Sequence, residues 1–194
     1  MQAQQVSNIT GEYYLRGVME TAAGFLLKPD SSFEFFFSYG ALDRSGKGTW
    51  AVKDNTLVLN SSKPETQSFE LTSSRQENDE YITIKIADQN AFFLSYVYAI
   101  IKSGDQQLEG QTNNQGILRF PKQAADSITI LFEFAPEKTA VFTIKNKTDN
   151  YFEFRFSPTV MDVYFENQEF SLGDKEFRGG IPVLRPGEYH FMKN

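Results

Sequence analysis

Residues 25–37 read Phe-Leu-Leu-Lys-Pro-Asp-Ser-Ser-Phe-Glu-Phe-Phe-Phe, which is two apolar runs on either side of a short polar segment. The polar segment, residues 28–32, contains the residue types that make turns. Proline fixes its own φ angle, and aspartate and serine side chains bond to the backbone close by. Two apolar runs separated in this way predict two β-strands joined by a turn.

The same pattern continues on both sides of this segment. Alternating or apolar runs separated by turn residues predict six short strands, at residues 12–18, 25–27, 33–37, 49–52, 56–59 and 68–72. Short strands at this spacing are typical of a β-barrel or a β-sandwich.

The most polar stretch of the chain is residues 73–80, Ser-Ser-Arg-Gln-Glu-Asn-Asp-Glu. We interpret it as a domain boundary, although a long polar hairpin loop would have the same composition. Beyond it the strand pattern starts again. Residues 81–86 place three isoleucines on one face, and residues 151–156 place three phenylalanines on one face.

Residues 91–101 are almost continuously apolar, so periodicity alone allows either a buried helix or a buried strand. Aromatic and β-branched residues dominate this run, which favours a strand over residues 96–102. The sequence as a whole predicts an all-β fold with two small antiparallel modules in tandem. We assign residues 1–10 to a disordered tail, 11–76 to the first module and 77–194 to the second.

Composition restricts the possible partners and cofactors. The formal net charge is −6 and no run of Lys or Arg is present, which argues against nucleic acid and against an anionic membrane surface. The sequence contains no run of 18 apolar residues, so it predicts no transmembrane helix. The chain has no cysteine, and phosphate-cradling glycine loops and metal-ligand spacings are absent. We therefore predict no cofactor and no metal. Nothing in the sequence specifies an oligomeric state.

The first module is similar to a known kind of barrel. Residues 27–33, followed by Gly48-Thr49-Trp50 and then by residues 55–59, resemble the successive strands of small bacterial lipocalin-like modules. The resemblance covers about residues 11–72. It implies a closed barrel, which in lipocalins has eight strands, whereas six are recognised here.

Residues 82–134 resemble the transthyretin-like, carboxypeptidase-regulatory type of β-sandwich found in secreted bacterial proteins. The resemblance rests on a predicted hairpin between residues 107–112 and 117–120, and its residues are Thr112, Asn113, Gly116, Leu118 and Phe120. Modules of both kinds usually bind, scaffold or connect, so neither resemblance implies a catalytic activity. Residues 2–5, Gln-Ala-Gln-Gln, resemble the polar segment that follows a signal cleavage site. Together these features predict a periplasmic or extracellular protein.

The candidate binding site lies in residues 38–46, which we interpret as a connection of about nine residues, longer than a hairpin requires. Tyr39 offers a ring face with a hydroxyl, Asp43 an acceptor and Arg44 a fork of donors, and we expect Trp50 beneath or beside them. This combination suits a polar ring such as a sugar.

Packing is the favoured interpretation of the same residues, and the binding site is expected here only if the protein has a ligand. Asp43 and Arg44 would then cap a turn, Leu42 would plug the end of the barrel, and Trp50 would lie in the core.

Catalytic residue types are scarce. The one histidine, His190, lies near the end of the chain, where residues are usually poorly ordered. Four carboxylates within or beside strands could in principle form a glycosidase pair, namely Glu34, Asp43, Glu133 and Glu153. Solvent-facing strand positions are the favoured explanation for each of them.

We therefore predict a non-enzymatic binding or accessory module whose partner is a carbohydrate, another small polar ligand or a protein. One alternative is a structural or assembly protein that pairs with a partner chain through exposed strand edges. A second alternative is a glycosidase-like hydrolase that uses two of the carboxylates.

Overall fold

The computed structural model describes residues 9–62 and 67–194, so residues 1–8 of the predicted tail lie outside the described residues. The structure is 55% strand and 3% helical, which confirms the all-β prediction. The elements are β1 (Gly11–Arg16), β2 (Thr21–Leu27), β3 (Ser32–Tyr39), β4 (Leu42–Lys53), β5 (Thr56–Asn60), β6 (Phe69–Arg75), β7 (Tyr81–Ile86), a 3₁₀ helix (Ala91–Ser95), β8 (Val97–Ser103), β9 (Gln106–Gln111), β10 (Ile117–Pro121), β11 (Ser127–Phe132), β12 (Ala140–Thr143), β13 (Tyr151–Phe156), β14 (Gln168–Gly173), β15 (Glu176–Gly179) and β16 (Tyr189–Lys193).

The chain divides into two compact units that do not follow the tandem division drawn from the sequence. Both ends of the chain form the first, which we call the barrel unit, and Pro64–Val160 forms the second, which we call the inserted unit. The polar stretch at residues 73–80 therefore lies within the inserted unit, across the end of β6 and the connection to β7. The alternation of apolar residues predicts a strand but not which other strand it pairs with. It therefore could not show that β14 to β16 belong to the barrel.

The barrel unit is a closed sheet of eight antiparallel strands in the order β1-β16-β15-β14-β5-β4-β3-β2. This closure is consistent with the lipocalin-like resemblance. Each strand pairs with the next barrel strand along the chain, and β16 pairs with β1 to close the ring. β5 and β14 are such neighbours, with Leu59 opposite Gln168. The inserted unit therefore occupies the position of a hairpin loop.

Aromatic rings fill the interior of the barrel. The inward-facing positions alternate with exposed ones along each strand, as on β3, where Phe33, Phe35 and Phe37 are buried. The buried interior residues include Tyr13, Phe25, Phe33, Phe35, Trp50, Leu57, Leu59, Phe165, Phe170, Phe177 and Phe191. The rings pack at centroid distances of 4.7 to 6.2 Å, mostly edge to face or tilted. This interior is a packed core.

The predicted nine-residue connection between β3 and β4 is wrong. β3 ends at Tyr39 and β4 begins at Leu42, so the turn consists of Gly40 and Ala41. Gly40 has a φ of 59°, the left-handed conformation that tight hairpin turns require. Residues 42–46 are the start of a twelve-residue strand.

Two glycines concealed this strand in the sequence. Gly46 and Gly48 are at inward-facing positions of β4, where an alternating pattern would have apolar side chains. A Cβ atom at Gly46 would lie 2.6 Å from the carbonyl oxygen of Val163, and one at Gly48 would collide with the carbonyl oxygen of Asn60. The glycines are therefore required for close backbone approach inside a strand.

The chain re-enters the barrel unit along β4. The amide of Val163 donates to the carbonyl oxygen of Ser45 over 2.7 Å, and the amide of Ser61 donates to the carbonyl oxygen of Phe165 over 2.7 Å. These bonds direct the ring of Phe165 into the core, where its centroid lies 5.1 Å from that of Phe35.

The inserted unit consists of two four-stranded sheets, in the orders β10-β7-β13-β6 and β12-β11-β8-β9. Rings from the two sheets meet in its core, such as Phe132 and Phe156 with centroids 4.7 Å apart. The first and last strands of the unit, β6 and β13, are paired neighbours, with Phe69 opposite Phe156. The two ends of this unit therefore leave it side by side.

The apolar run at residues 91–101 combines a 3₁₀ helix with β8, so the predicted strand over residues 96–102 is present and a short helical turn precedes it. The predicted hairpin between residues 107–112 and 117–120 is wrong. β9 pairs with β8 in one sheet and β10 pairs with β7 in the other.

Asn113 explains why this turn resembled a hairpin. Its side-chain oxygen accepts from the amides of Gln115 and Ile117, as in a tight turn. The Thr112 hydroxyl, however, donates to the carbonyl oxygen of Leu94 over 2.6 Å, which directs the chain away from β9 and between the sheets. The turn at Asn113 is thus present as predicted, but the strands on either side of it pair in different sheets.

The first described residues are ordered, in contrast to the predicted tail of residues 1–10. Ile9 packs against the barrel core, and the hydroxyl of Tyr13 donates to its carbonyl oxygen over 2.7 Å. Within residues 9–62 and 67–194, no helix is long and apolar enough to cross a membrane.

We expect the barrel to fold without the inserted unit, because the insertion replaces a hairpin loop and the inserted unit has adjacent ends. Replacing residues 64–160 by a short Gly/Ser linker should leave a cooperative thermal transition. The fluorescence of the single tryptophan, Trp50, reports on the barrel alone and should keep the short emission wavelength of a buried indole.

The matched control extends the deletion to residue 165. It removes the buried side chains of Val163 and Phe165 from the core. It should therefore cost more unfolding free energy than one large aromatic truncation, which costs about 3 to 5 kcal/mol. A solvent-exposed Trp50 emission in the shorter deletion would show that the barrel depends on the inserted unit.

Candidate functional site

The four residues predicted to bind a ligand differ in exposure. Tyr39 is 52% exposed at the end of β3, and Asp43 is exposed on β4 opposite Ser38. Arg44 and Trp50 face the interior, each 4% exposed. The indole Nε1 of Trp50 donates to the carbonyl oxygen of Lys28 over 3.0 Å. The structure thus separates this set into two exposed and two buried side chains, since Tyr39 shares the face of Phe37 but lies at the open end of its strand.

Arg44 stabilises the place where the chain re-enters the barrel unit. Its Nε donates to the carbonyl oxygen of Met161 over 3.2 Å, and one terminal nitrogen donates to the carbonyl oxygen of Asp162 over 3.3 Å. A buried guanidinium that satisfies backbone carbonyls in this way has a structural role.

The carboxylates considered for hydrolysis are distributed over both units. Glu34 and Asp43 belong to the barrel unit, whereas Glu133 and Glu153 belong to the inserted unit. Each of the last two accepts a hydrogen bond from a nearby tyrosine hydroxyl. Among the described residues, no group of three or more His, Asp or Glu side chains is placed to hold a metal ion.

A shallow groove of about 180 Å³ lies on the outer face of β1, β2 and β3. Two rows of paired residues cross these strands. The first row is Glu12, Leu26 and Glu34, and the second is Tyr14, Gly24 and Phe36. The groove therefore combines two aromatic rings and an aliphatic side chain with a carboxylate on either side.

Gly24 shapes the groove because it has no side chain. A Cβ atom at this position would lie 2.6 Å from the Phe36 ring, so the ring occupies the space above the glycine. The Phe36 ring is 6.1 Å from the Tyr14 ring at an interplanar angle of 62°, and Phe36 remains 41% exposed. A large side chain at an exposed position with an open ring face is a possible stacking surface.

Hydrogen bonds fix the polar groups around the groove. The Tyr14 hydroxyl donates to Oε2 of Glu12 over 2.9 Å, and this bond raises the pKa of Tyr14 above its ordinary value. Nζ of Lys28 donates to Oε1 of Glu34 over 2.5 Å, which raises the pKa of Lys28. Both carboxylates keep further lone pairs that can accept from a ligand.

Two other surface features are weaker candidates. A wide depression of about 610 Å³ is lined by Asn78, Asp79, Glu80, Pro121 and Lys122, without an aromatic ring. It therefore offers no ring face on which a ligand could stack.

The inserted unit has its own exposed ring cluster, formed by Phe92, Tyr96 and Phe134. Phe92 is 52% exposed, but its ring lies parallel to that of Phe134 and 5.1 Å from that of Tyr96. These rings cover each other's faces, whereas the groove rings meet near their edges. The barrel groove is therefore the best-formed candidate site.

The sequence contained one signal for this groove. Residues 35–37 are three consecutive phenylalanines, and an alternating strand must place one of them on the face opposite to the others. That residue is Phe36. Nothing in the sequence indicated that Tyr14 would be its neighbour. The two residues are brought together because β1 and β3 both pair with β2.

The fold and the groove define a class: a small closed antiparallel barrel with a two-sheet unit inserted between neighbouring strands and a shallow aromatic groove on its outer face. Comparisons with protein-family models, curated proteins and solved structures found no match for this chain. The residues of the groove are therefore the basis for assigning a function.

Arg44 and Tyr39 should differ sharply in their effect on stability. Arg44→Ala removes charged hydrogen bonds from buried carbonyls and should lower the free energy of unfolding by about 2 to 4 kcal/mol. Tyr39→Ala, at an exposed strand end, should change it by less than about 0.5 kcal/mol. Urea unfolding followed by Trp50 fluorescence measures both. Equal effects would contradict the assignment of Arg44 to the structure and Tyr39 to the surface.

Proposed function

We propose that this chain is a non-enzymatic binding module that holds a sugar, or another small polar ring, in the groove on β1, β2 and β3. The observation that carries the proposal is the pair formed by the half-buried Tyr14 and the exposed Phe36, with the Glu12 and Glu34 carboxylates beside it. We further propose that it works in the periplasm or outside the cell, as the lipocalin-like resemblance of the barrel unit suggests.

The chemistry of the groove matches the two kinds of surface on a sugar ring. The C–H face of a sugar is apolar and can rest on an aromatic ring, here Phe36 above Gly24. Its hydroxyl groups donate hydrogen bonds, and ionised carboxylates are strong acceptors for them. The carboxylate row and the aromatic row are two positions apart along each strand, about 6.7 Å, so one ring can reach both.

The volume of the groove suggests how much of a ligand it holds. Pockets that enclose a whole small molecule usually measure about 300 to 1,000 Å³, and this groove measures about 180 Å³. A single ring within a longer chain suits it better than an enclosed free ligand. The filled interior supports the same interpretation, because the barrel offers its outer surface and not its centre.

The carboxylates favour binding over hydrolysis. A glycosidase needs one carboxyl group that is protonated beside the scissile bond and a second that is ionised. Glu12 and Glu34 instead accept hydrogen bonds from Tyr14 and Lys28, and they lie on an open surface. Such groups are suited to accept hydrogen bonds from hydroxyls.

Binding should depend on the two rings. Phe36→Ala and Tyr14→Ala should each weaken binding to an immobilised panel of polysaccharides at least tenfold, which corresponds to a loss of about 1.4 kcal/mol. Affinity electrophoresis measures retardation for each variant, and thermal melting checks that each is folded.

Phe92→Ala and Tyr39→Ala are the matched controls, since both remove an exposed aromatic ring elsewhere. They should leave binding unchanged. A loss of binding in Tyr39→Ala alone would show that the ligand binds at the β3–β4 turn. Retention of binding in Phe36→Ala would contradict the proposal that the ligand binds in the groove.

A second candidate function is assembly through a strand edge. The closed barrel leaves no edge, but β12 lies at the edge of a sheet in the inserted unit. It has the sequence Ala-Val-Phe-Thr, without a charge to block pairing, and its Val141 is 59% exposed. If this edge pairs with another chain, Val141→Lys should shift a self-associated form to a monomer in size-exclusion chromatography with light scattering. A wild-type chain that is monomeric at high concentration would oppose self-assembly.

A further inference from the structure

A row of cationic side chains crosses the outer face of the barrel next to the groove. Arg16 on β1 is opposite His190 on β16, and His190 is opposite Arg178 on β15. Directly opposed residues on neighbouring strands have Cβ atoms about 4.5 to 5.5 Å apart. Three residues that can carry positive charge therefore stand in one line, in a chain whose net charge is −6.

These side chains face solvent. Phe177 and Phe191, the strand neighbours of Arg178 and His190, are completely buried, so the alternate positions face outward. The side chains of Arg178 and His190 are 50% and 33% exposed, and Arg16 is exposed. The row is thus accessible to a ligand.

One carboxylate neutralises part of the row. Oε1 of Glu176 accepts from Arg178 over 2.9 Å, and Oε2 pairs with Nε2 of His190. The hydrogen bond from His190, followed by that from Arg178, lowers the pKa of Glu176. Arg16 has no ion pair or hydrogen bond through its side chain to any residue in the described ranges. The row therefore has an uncompensated guanidinium at the end closest to the groove.

The row and the groove form one continuous surface. Arg16 follows Tyr14 by two positions on β1, which places their Cα atoms about 6.7 Å apart on the same face. Met192, 41% exposed, lies opposite Tyr14 and extends the apolar surface beneath the row. Glu12 is on the other side of Tyr14. Along β1 the surface thus changes from a carboxylate through an aromatic ring to a guanidinium.

We propose that the ligand of the groove is an acidic saccharide, with one ring on Tyr14 and Phe36 and a carboxylate or sulfate group on Arg16. Arg178 and His190 bind further along the same anionic chain. Guanidinium groups bind planar carboxylates and sulfate oxygens through paired hydrogen bonds. Nucleic acid, the other common polyanion, is disfavoured by the shortness of the row, because its binding relies on many phosphate contacts. This inference rests on the function proposed for the groove.

The test compares acidic with neutral saccharides of similar length on the full chain. Calorimetric titrations use an oligogalacturonate as the carboxylate probe, a heparin-derived oligosaccharide as the sulfate probe and a cello-oligosaccharide as the neutral probe. We expect the wild type to prefer at least one acidic probe over the neutral probe by tenfold or more. Arg16→Gln should reduce that affinity at least tenfold and leave the affinity for the neutral probe unchanged.

Arg119→Gln is the matched control, because it removes the same charge from an exposed arginine of the inserted unit. It should have no effect on either kind of probe. If Arg16→Gln and Arg119→Gln lose the same affinity for the acidic probes, the preference reflects overall charge and the inference is overturned. The inference would also be overturned if the wild type binds acidic and neutral probes with equal affinity and Phe36→Ala binds neither. That result would still support the groove as the binding site. No binding of any probe would contradict the groove itself.

Discussion

The barrel depends on the contacts that the ring of Phe25 makes with other rings. Its centroid lies between 4.7 and 6.2 Å from those of six other phenylalanines, namely Phe33, Phe35, Phe165, Phe170, Phe177 and Phe191. These residues come from both ends of the chain. Edge-to-face and tilted packing of this kind adds to the free energy gained by burying apolar area. The same contacts join the first barrel strands to the last three and occupy the space that a hollow barrel would offer to a ligand.

A filled interior places the functional surface outside, and this is where the sequence predicted least. Strand positions, the all-β class and the turn at residues 28–32 followed from alternation and turn chemistry, which are local properties. The row of Tyr14, Gly24 and Phe36 depends on how three strands are paired, and neither composition nor spacing contains that information. Arg16, His190 and Arg178 are still further apart in sequence, and they meet because the last strand closes the ring.

The incorrect predictions have a common physical cause. Gly46 and Gly48 suggested a loop because glycine usually marks one, whereas here they make room for Val163 and Asn60 within a strand. Asn113 and Gly116 suggested a hairpin, whereas the same turn transfers the chain from one sheet to the other. The tandem division followed from reading the strands in order. In each case a tertiary contact decided what a local signal meant, and no window of a few residues includes that contact.

The position of the inserted unit has a consequence for how the chain folds. β5 and β14 are adjacent in space, yet the whole inserted unit separates them in sequence, so their pairing requires the closure of a very long loop. The entropic cost of closure rises by only about 0.6 kcal/mol for each doubling of loop length, but contacts between distant residues slow folding strongly. Once β6 and β13 have paired, the inserted unit acts as a short tether between β5 and β14, because Phe69 lies beside Phe156. The fastest route to the native state is therefore for the middle of the chain to fold first and to bring the two halves of the barrel together.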